Sequence, residues 1–90
     1  MSDTGGGTDL QGTVLNFQNS ATSGLPDSTA IASGIYRPTN VGTGDTFPAP
    51  APASPYAASL TVFNQTSPNG TWQLFVIDDA GQDSGAIDNG

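Results

Sequence analysis

Seven of the chain's 17 Leu, Ile, Val and Phe residues (Leu60, Val62, Phe63, Leu74, Phe75, Val76 and Ile77) fall in the 18 positions from Leu60 to Ile77, with the single tryptophan, Trp72, among them. A folded core has to be assembled from segments able to bury apolar side chains, so this crowding constrains the fold more than any average does. Thr71-Trp72-Gln73-Leu74-Phe75-Val76-Ile77 alternates with a period of two. Trp72, Leu74 and Val76 share one face, and Gln73, Phe75 and Ile77 the other, which predicts a strand buried on both sides toward its end. Ser59-Leu60-Thr61-Val62-Phe63 reads as a second strand, with Leu60 and Val62 on one face. Between the two, Pro68-Asn69-Gly70 is a turn signal, because Asn and Gly both tolerate positive φ. The pair reads as a hairpin with a seven-residue loop or as an arch between two sheets. Thr13-Val14-Leu15-Asn16-Phe17 and Gly34-Ile35-Tyr36-Arg37 are weaker strand candidates, and Gly85-Ala86-Ile87-Asp88 resembles the start of another.

The averages point the other way. Seventeen large aliphatic and Phe residues in 90, with eight Asp against the single Arg37 and a net charge of -7, lie just under the roughly 20% below which a highly charged chain is usually disordered. The two apolar segments resolve this conflict: the composition reads as good core strands lacking the strands that would cover them. Helix is disfavoured, since no apolar spacing of i, i+3, i+4, i+7 recurs and Gly, Pro, Ser, Thr and Asn dominate. Short strands between turn clusters suit a β-sandwich or barrel. Four or five strands fall short of the seven or so of a typical sandwich. The alternating prolines of residues 48–55 predict an extended, polyproline-like connection, flanked by Phe47 and Tyr56, which could pin its ends to a core.

The inventory excludes much chemistry. The chain has neither His nor Cys, so it holds no Ser-His-Asp or Cys-His nucleophile, no imidazole or thiolate zinc site and no disulfide. It has no Lys for a Schiff base. One cation against eight carboxylates argues against nucleic acid and against an anionic membrane surface. No apolar run approaches the roughly 20 residues of a membrane helix. Met1-Ser2-Asp3-Thr4-Gly5-Gly6-Gly7 lacks the basic and apolar regions of a signal peptide. The remaining polar groups are hard oxygen donors, suited to calcium or magnesium.

The run Phe63-Asn64-Gln65-Thr66-Ser67-Pro68-Asn69-Gly70-Thr71-Trp72, its apolar continuation to Ile77, and the turn Asp78-Asp79-Ala80-Gly81-Gln82-Asp83-Ser84-Gly85 resemble the P domain (Homo B domain) of proprotein convertases and of bacterial secreted proteins. The match departs from that pattern at Gln65 and Ser67 in the run and at Gln82 in the turn. Upstream, Asp9 to Phe17, Leu25-Pro26-Asp27, Gly34 to Pro38 and Gly44 to Pro52 are similar to the bacterial branch, so the resemblance covers nearly the whole chain. It implies an all-β, antiparallel jelly-roll-like β-sandwich, here partial and lacking the first and last strands. It also implies an extracellular or cell-surface location within a longer secreted protein.

Asp78, Asp79 and Asp83 fall within six residues. Carboxylates this close repel unless a cation or backbone donors compensate, and calcium takes such ligands at roughly 2.4 Å. The competing reading is a turn capped by its own Asp side chains. Asp3 and Asp9, around Gly5-Gly6-Gly7, form either a second oxygen cluster or a plain glycine turn. Trp72, at its spacing from Leu74 and Val76, reads as core. The function expected is a non-catalytic accessory module. It packs against and stabilises an adjacent protease or surface-protein domain, with calcium as its cofactor and self-association through open strand edges as a further property. The alternative is a carbohydrate- or cell-surface-binding module using Tyr36, Phe47 or Tyr56. A glycosidase built on paired Asp is the weakest reading, because the pairs lie in turns.

Overall fold

Three short elements carry regular backbone structure in the computed structural model, which describes residues 1, 3–77, 81 and 85–87. They are strand β1 (Leu15–Phe17), strand β2 (Gly34–Tyr36) and a single 3-10 turn (Leu60–Phe63). β1 and β2 run parallel, with Leu15 opposite Gly34, Asn16 opposite Ile35 and Phe17 opposite Tyr36. The ladder extends at both ends: Gly34 N–H donates to the Val14 carbonyl at 3.0 Å and Gln18 N–H to the Tyr36 carbonyl at 3.0 Å. Gly24 forms a further parallel bridge to Arg37, whose N–H reaches the Ser23 carbonyl at 2.8 Å. Both strands alternate as a half-buried sheet should: Leu15, Phe17, Gly34 and Tyr36 face inward while Asn16 and Ile35 face outward.

A parallel pair needs a crossover of a dozen or more residues. Here residues 18–33 supply it without a helix, and they carry Leu25 and Ile31, the two hydrophobic residues buried among the described ones. The N-terminal glycines close over them. Gly5 N–H donates to the Pro26 carbonyl at 2.8 Å and Gly6 N–H to the Asp27 carbonyl at 2.9 Å. Gly5 has φ +93°, and a Cβ there would stand 2.8 Å from Ile31 Cδ1. Glycine is therefore required both by the backbone conformation and by the close approach. Thr39 fastens the other side: its hydroxyl accepts from Leu25 N–H at 2.8 Å and donates to the Arg37 carbonyl at 2.9 Å.

The architecture is not the expected antiparallel jelly-roll-like β-sandwich. The pairing is parallel, each strand is three residues long, and most described residues lie in turns and irregular backbone. The exposed surface of 7228 Å² exceeds the roughly 4,900 Å² typical of a compact protein of 9.0 kDa. The radius of gyration, 13.9 Å, nevertheless lies near the roughly 12 Å of a compact chain and far from the roughly 30 Å of an unfolded one. The chain is thus gathered without enclosing a large core.

The two strongest strand candidates account for the difference. Leu60–Phe63 curls into the 3-10 turn because Ser59 caps it: its hydroxyl accepts from Thr61 N–H at 3.2 Å. The Phe63 carbonyl is then taken by Thr66 N–H at 3.2 Å and by the Thr66 hydroxyl at 2.7 Å. These bonds occupy the Phe63 carbonyl, which a hairpin closing between 59–63 and 71–77 would use. Residues 71–77 carry no strand. Gly85, Ala86 and Ile87 are likewise irregular, and Asp88 lies outside the described residues.

Candidate functional site

The segment from Ser59 to Ile77 holds six exposed large hydrophobic residues, Val62, Phe63, Trp72, Leu74, Val76 and Ile77, and is built from two kinds of closure. The first is the capped turn. The Asn19 side-chain oxygen accepts from Leu60 N–H at 2.9 Å and from the Ser59 hydroxyl at 3.5 Å, tying the turn to the residue that follows β1 by two positions. The second is an aromatic clasp: the Phe63 and Trp72 rings meet at 5.1 Å with a 51° tilt, and Trp72 Nε1–H donates to the Pro68 carbonyl at 2.9 Å. Ser67 Oγ accepts from Asn69 N–H at 3.2 Å, and Gly70 completes the bend at φ +143°. A shallow depression of about 210 Å³ lies inside the clasp, lined by Phe63, Thr66, Ser67, Asn69 and Trp72 among others.

The preceding segment repeats this design. Phe47 and Tyr56 meet edge to face at 5.3 Å. The Tyr56 hydroxyl accepts from Phe47 N–H at 3.0 Å and donates to the Pro52 carbonyl at 3.1 Å. The proline-rich stretch between them turns, with Ala51 N–H on the Pro48 carbonyl at 3.1 Å. The two rings thus pin each other and not a core. In both loops the second aromatic returns its polar hydrogen to a proline carbonyl four residues back. The Tyr36 hydroxyl similarly donates to the Ala32 carbonyl at 3.0 Å. Tyr36, Phe47 and Tyr56, the aromatics of the alternative sugar-binding reading, are therefore dispersed between β2 and the first loop, with both hydroxyls engaged by the chain's own backbone.

The expectation that Trp72, Leu74 and Val76 form core is corrected. They are 62%, 78% and 66% exposed. Val62, Phe63 and Ile77 are exposed too, while Phe75 is half-buried. Burial on both faces needs a neighbouring strand and an opposing sheet, and the described residues supply neither.

The three proposed calcium ligands, Asp78, Asp79 and Asp83, lie outside the described residues. Among the described residues no three acidic side chains gather into a metal-sized group. Asp3 and Asp9 are both exposed, and the glycines between them serve the turn over Ile31. No helix among the described residues is long and apolar enough to cross a membrane. Sequence reasoning missed Asn19: it reads as an ordinary turn residue, and nothing local marks a contact 41 positions away. Comparison with protein-family models, with curated proteins and with solved structures finds no match for the chain.

Proposed function

We propose that this chain is a non-catalytic accessory module of a secreted or surface protein, which docks on an adjoining domain through its apolar segment 60–77 and stabilises it. The observation that carries this reading is the exposure of Trp72, Leu74 and Val76, which share one face of the sequence pattern. Burying a side chain of this kind contributes about 1.5–3 kcal/mol, so docking that covers these three residues offsets a substantial ordering cost. The resemblance of the Phe63–Trp72 run to the P domain supports the same role beside a protease. The missing His, Cys and Lys support it further by removing the commoner catalytic groups.

The test is made in the natural gene product. Trp72→Asp together with Leu74→Asp should lower the melting temperature of the adjoining domain by several degrees. An adjoining domain whose melting does not move, or a natural product with no adjoining domain, overturns the reading. Calcium at Asp78, Asp79 and Asp83 is part of the proposal and rests on their sequence spacing. Calorimetric titration of the chain with calcium should show saturable heat that disappears in the Asp78→Asn, Asp83→Asn variant. Heat that is absent, or unchanged by the substitutions, removes the metal from the account.

A further inference from the structure

We propose that two copies of this chain pair through residues 71–77 as an antiparallel ribbon centred on Leu74, and that this ribbon presents the docking face; the idea rests on the docking reading above. Three observations carry it. The peptide groups of 71–77 form no strand pairing among the described residues, and the one hydrogen bond from this stretch, from Trp72 Nε1, uses a side chain. Thr71, Trp72, Phe75, Val76 and Ile77 are residue types enriched in strands, and their backbone groups are free of any strand pairing among the described residues that would compete with a second copy. Next, the stretch is apolar on both faces, so edge pairing leaves both faces free to meet something else.

The third observation is where the charges are. From Thr46 to Ile77 there is no charged residue, although the chain carries a net charge of -7. The flanking charges, Asp45 on one side and Asp78 with Asp79 on the other, bound this neutral tract. Two copies can therefore meet along it without opposing like charges, which makes a second copy an acceptable partner despite the acidity of the whole. The same placement selects the direction. In a parallel, in-register pair the Asp78-Asp79 dipeptides would stand about 4.8 Å apart, one strand spacing. In an antiparallel pair centred on Leu74 they sit at opposite ends, roughly 27 Å apart at about 3.4 Å per residue. That is well beyond the screening length of about 8 Å at physiological salt.

The proposed register is also chemically consistent. The antiparallel register sets Trp72 opposite Val76 and Leu74 opposite its own counterpart, and aromatic–β-branched pairs are favourable neighbours. Trp72, Leu74 and Val76 of both copies then lie on one face, which doubles the apolar surface offered to the adjoining domain. A two-stranded ribbon alone is marginal, so the pair is weak in isolation and strengthens on docking.

The test uses the full 90-residue chain, which contains no cysteine. Leu74→Cys and Thr71→Cys place single thiols at sites exposed in the monomer, and Val14→Cys, also exposed, reports random collision. Under mild oxidation Leu74→Cys should form disulfide-linked dimer at least tenfold faster than the other two. Adding Gln73→Pro, which removes an N–H and disfavours the strand, should abolish that advantage. Equal fast rates at Leu74→Cys and Thr71→Cys would show parallel pairing and overturn the register. Rates no faster than Val14→Cys would overturn the pairing altogether. No partner is present, so a negative result leaves the docking reading intact. Fast cross-linking with no effect of the Asp substitutions on the adjoining domain would overturn docking alone.

Discussion

Residues 5–41 and 47–77 divide the molecule into two regions whose apolar content and burial run in opposite directions. The first buries Leu25 and Ile31, although its sequence is rich in Gly, Ser and Thr. The second holds the densest apolar run in the chain and leaves Trp72, Leu74 and Val76 exposed. What separates them is the reach of the backbone hydrogen bonds. In 5–41 they connect Gly5 to Pro26, Val14 to Gly34, Gln18 to Tyr36 and Ser23 to Arg37. Within 47–72 the named bonds are local, the longest joining Phe47 to Tyr56 across nine positions. Local closure has a small entropic cost but brings together too few elements to enclose a side chain. Hydrophobicity supplies a driving force, and long-range pairing decides whether that force finds a place to act.

The largest expected effect falls on the enclosed region. Leu25→Ala should cost about 2–3 kcal/mol, the lower part of the range for buried leucines, because the surrounding core is small. Hydrogen exchange should then lose protection at the amides of Gly34 and Arg37 while those of Asn64 and Thr66 keep theirs. Parallel loss in both sets would show one cooperative unit and erase the contrast. Thr39→Val should be milder, about 1–2 kcal/mol, because it strips the acceptor from the part-buried Leu25 amide. Faster exchange at the Leu25 amide checks it.

Smaller still is the effect of the strap between the regions. Asn19→Ala removes the acceptor of Leu60 N–H and should cost about 0.5–1 kcal/mol, since the bond is exposed. The Leu60 amide should exchange faster while the Gly34 amide is unchanged. The smallest effect belongs to the most conspicuous residue. Trp72→Ala should change the stability of the isolated chain by no more than about 0.5 kcal/mol, as for ordinary surface substitutions. A larger loss in denaturant unfolding would mean that the clasp to Phe63 supports more than its own loop.

How much was legible follows the same line. The strand candidates Thr13–Phe17 and Gly34–Arg37 coincide with β1 and β2 to within two residues, although apolar Val14 and Ile35 face outward. Their parallel pairing was not legible, since no local signal announces a crossover lacking a helix. The Pro68-Asn69-Gly70 bend was legible from residue chemistry, and Gly70 does adopt positive φ. The burial of 60–77 was misread for a physical reason. Periodicity reports what a segment would do beside a neighbour and carries no information on whether one exists. Ser59 and Thr66, which turn the backbone away from a hairpin by taking or capping its polar groups, look in the sequence like ordinary loop residues. The candidate calcium ligands Asp78, Asp79 and Asp83 lie outside the described residues, so their sequence spacing remains the whole of their argument.

The central claim is that the apolar segment of the isolated chain faces solvent and waits for a partner. Trp72 is the single tryptophan, so its fluorescence reports on that segment alone. In the dilute chain the emission should be red-shifted, as for an indole in water, and freely quenched by both acrylamide and iodide. Blue-shifted emission protected from both quenchers would place Trp72 in a closed core and contradict the account.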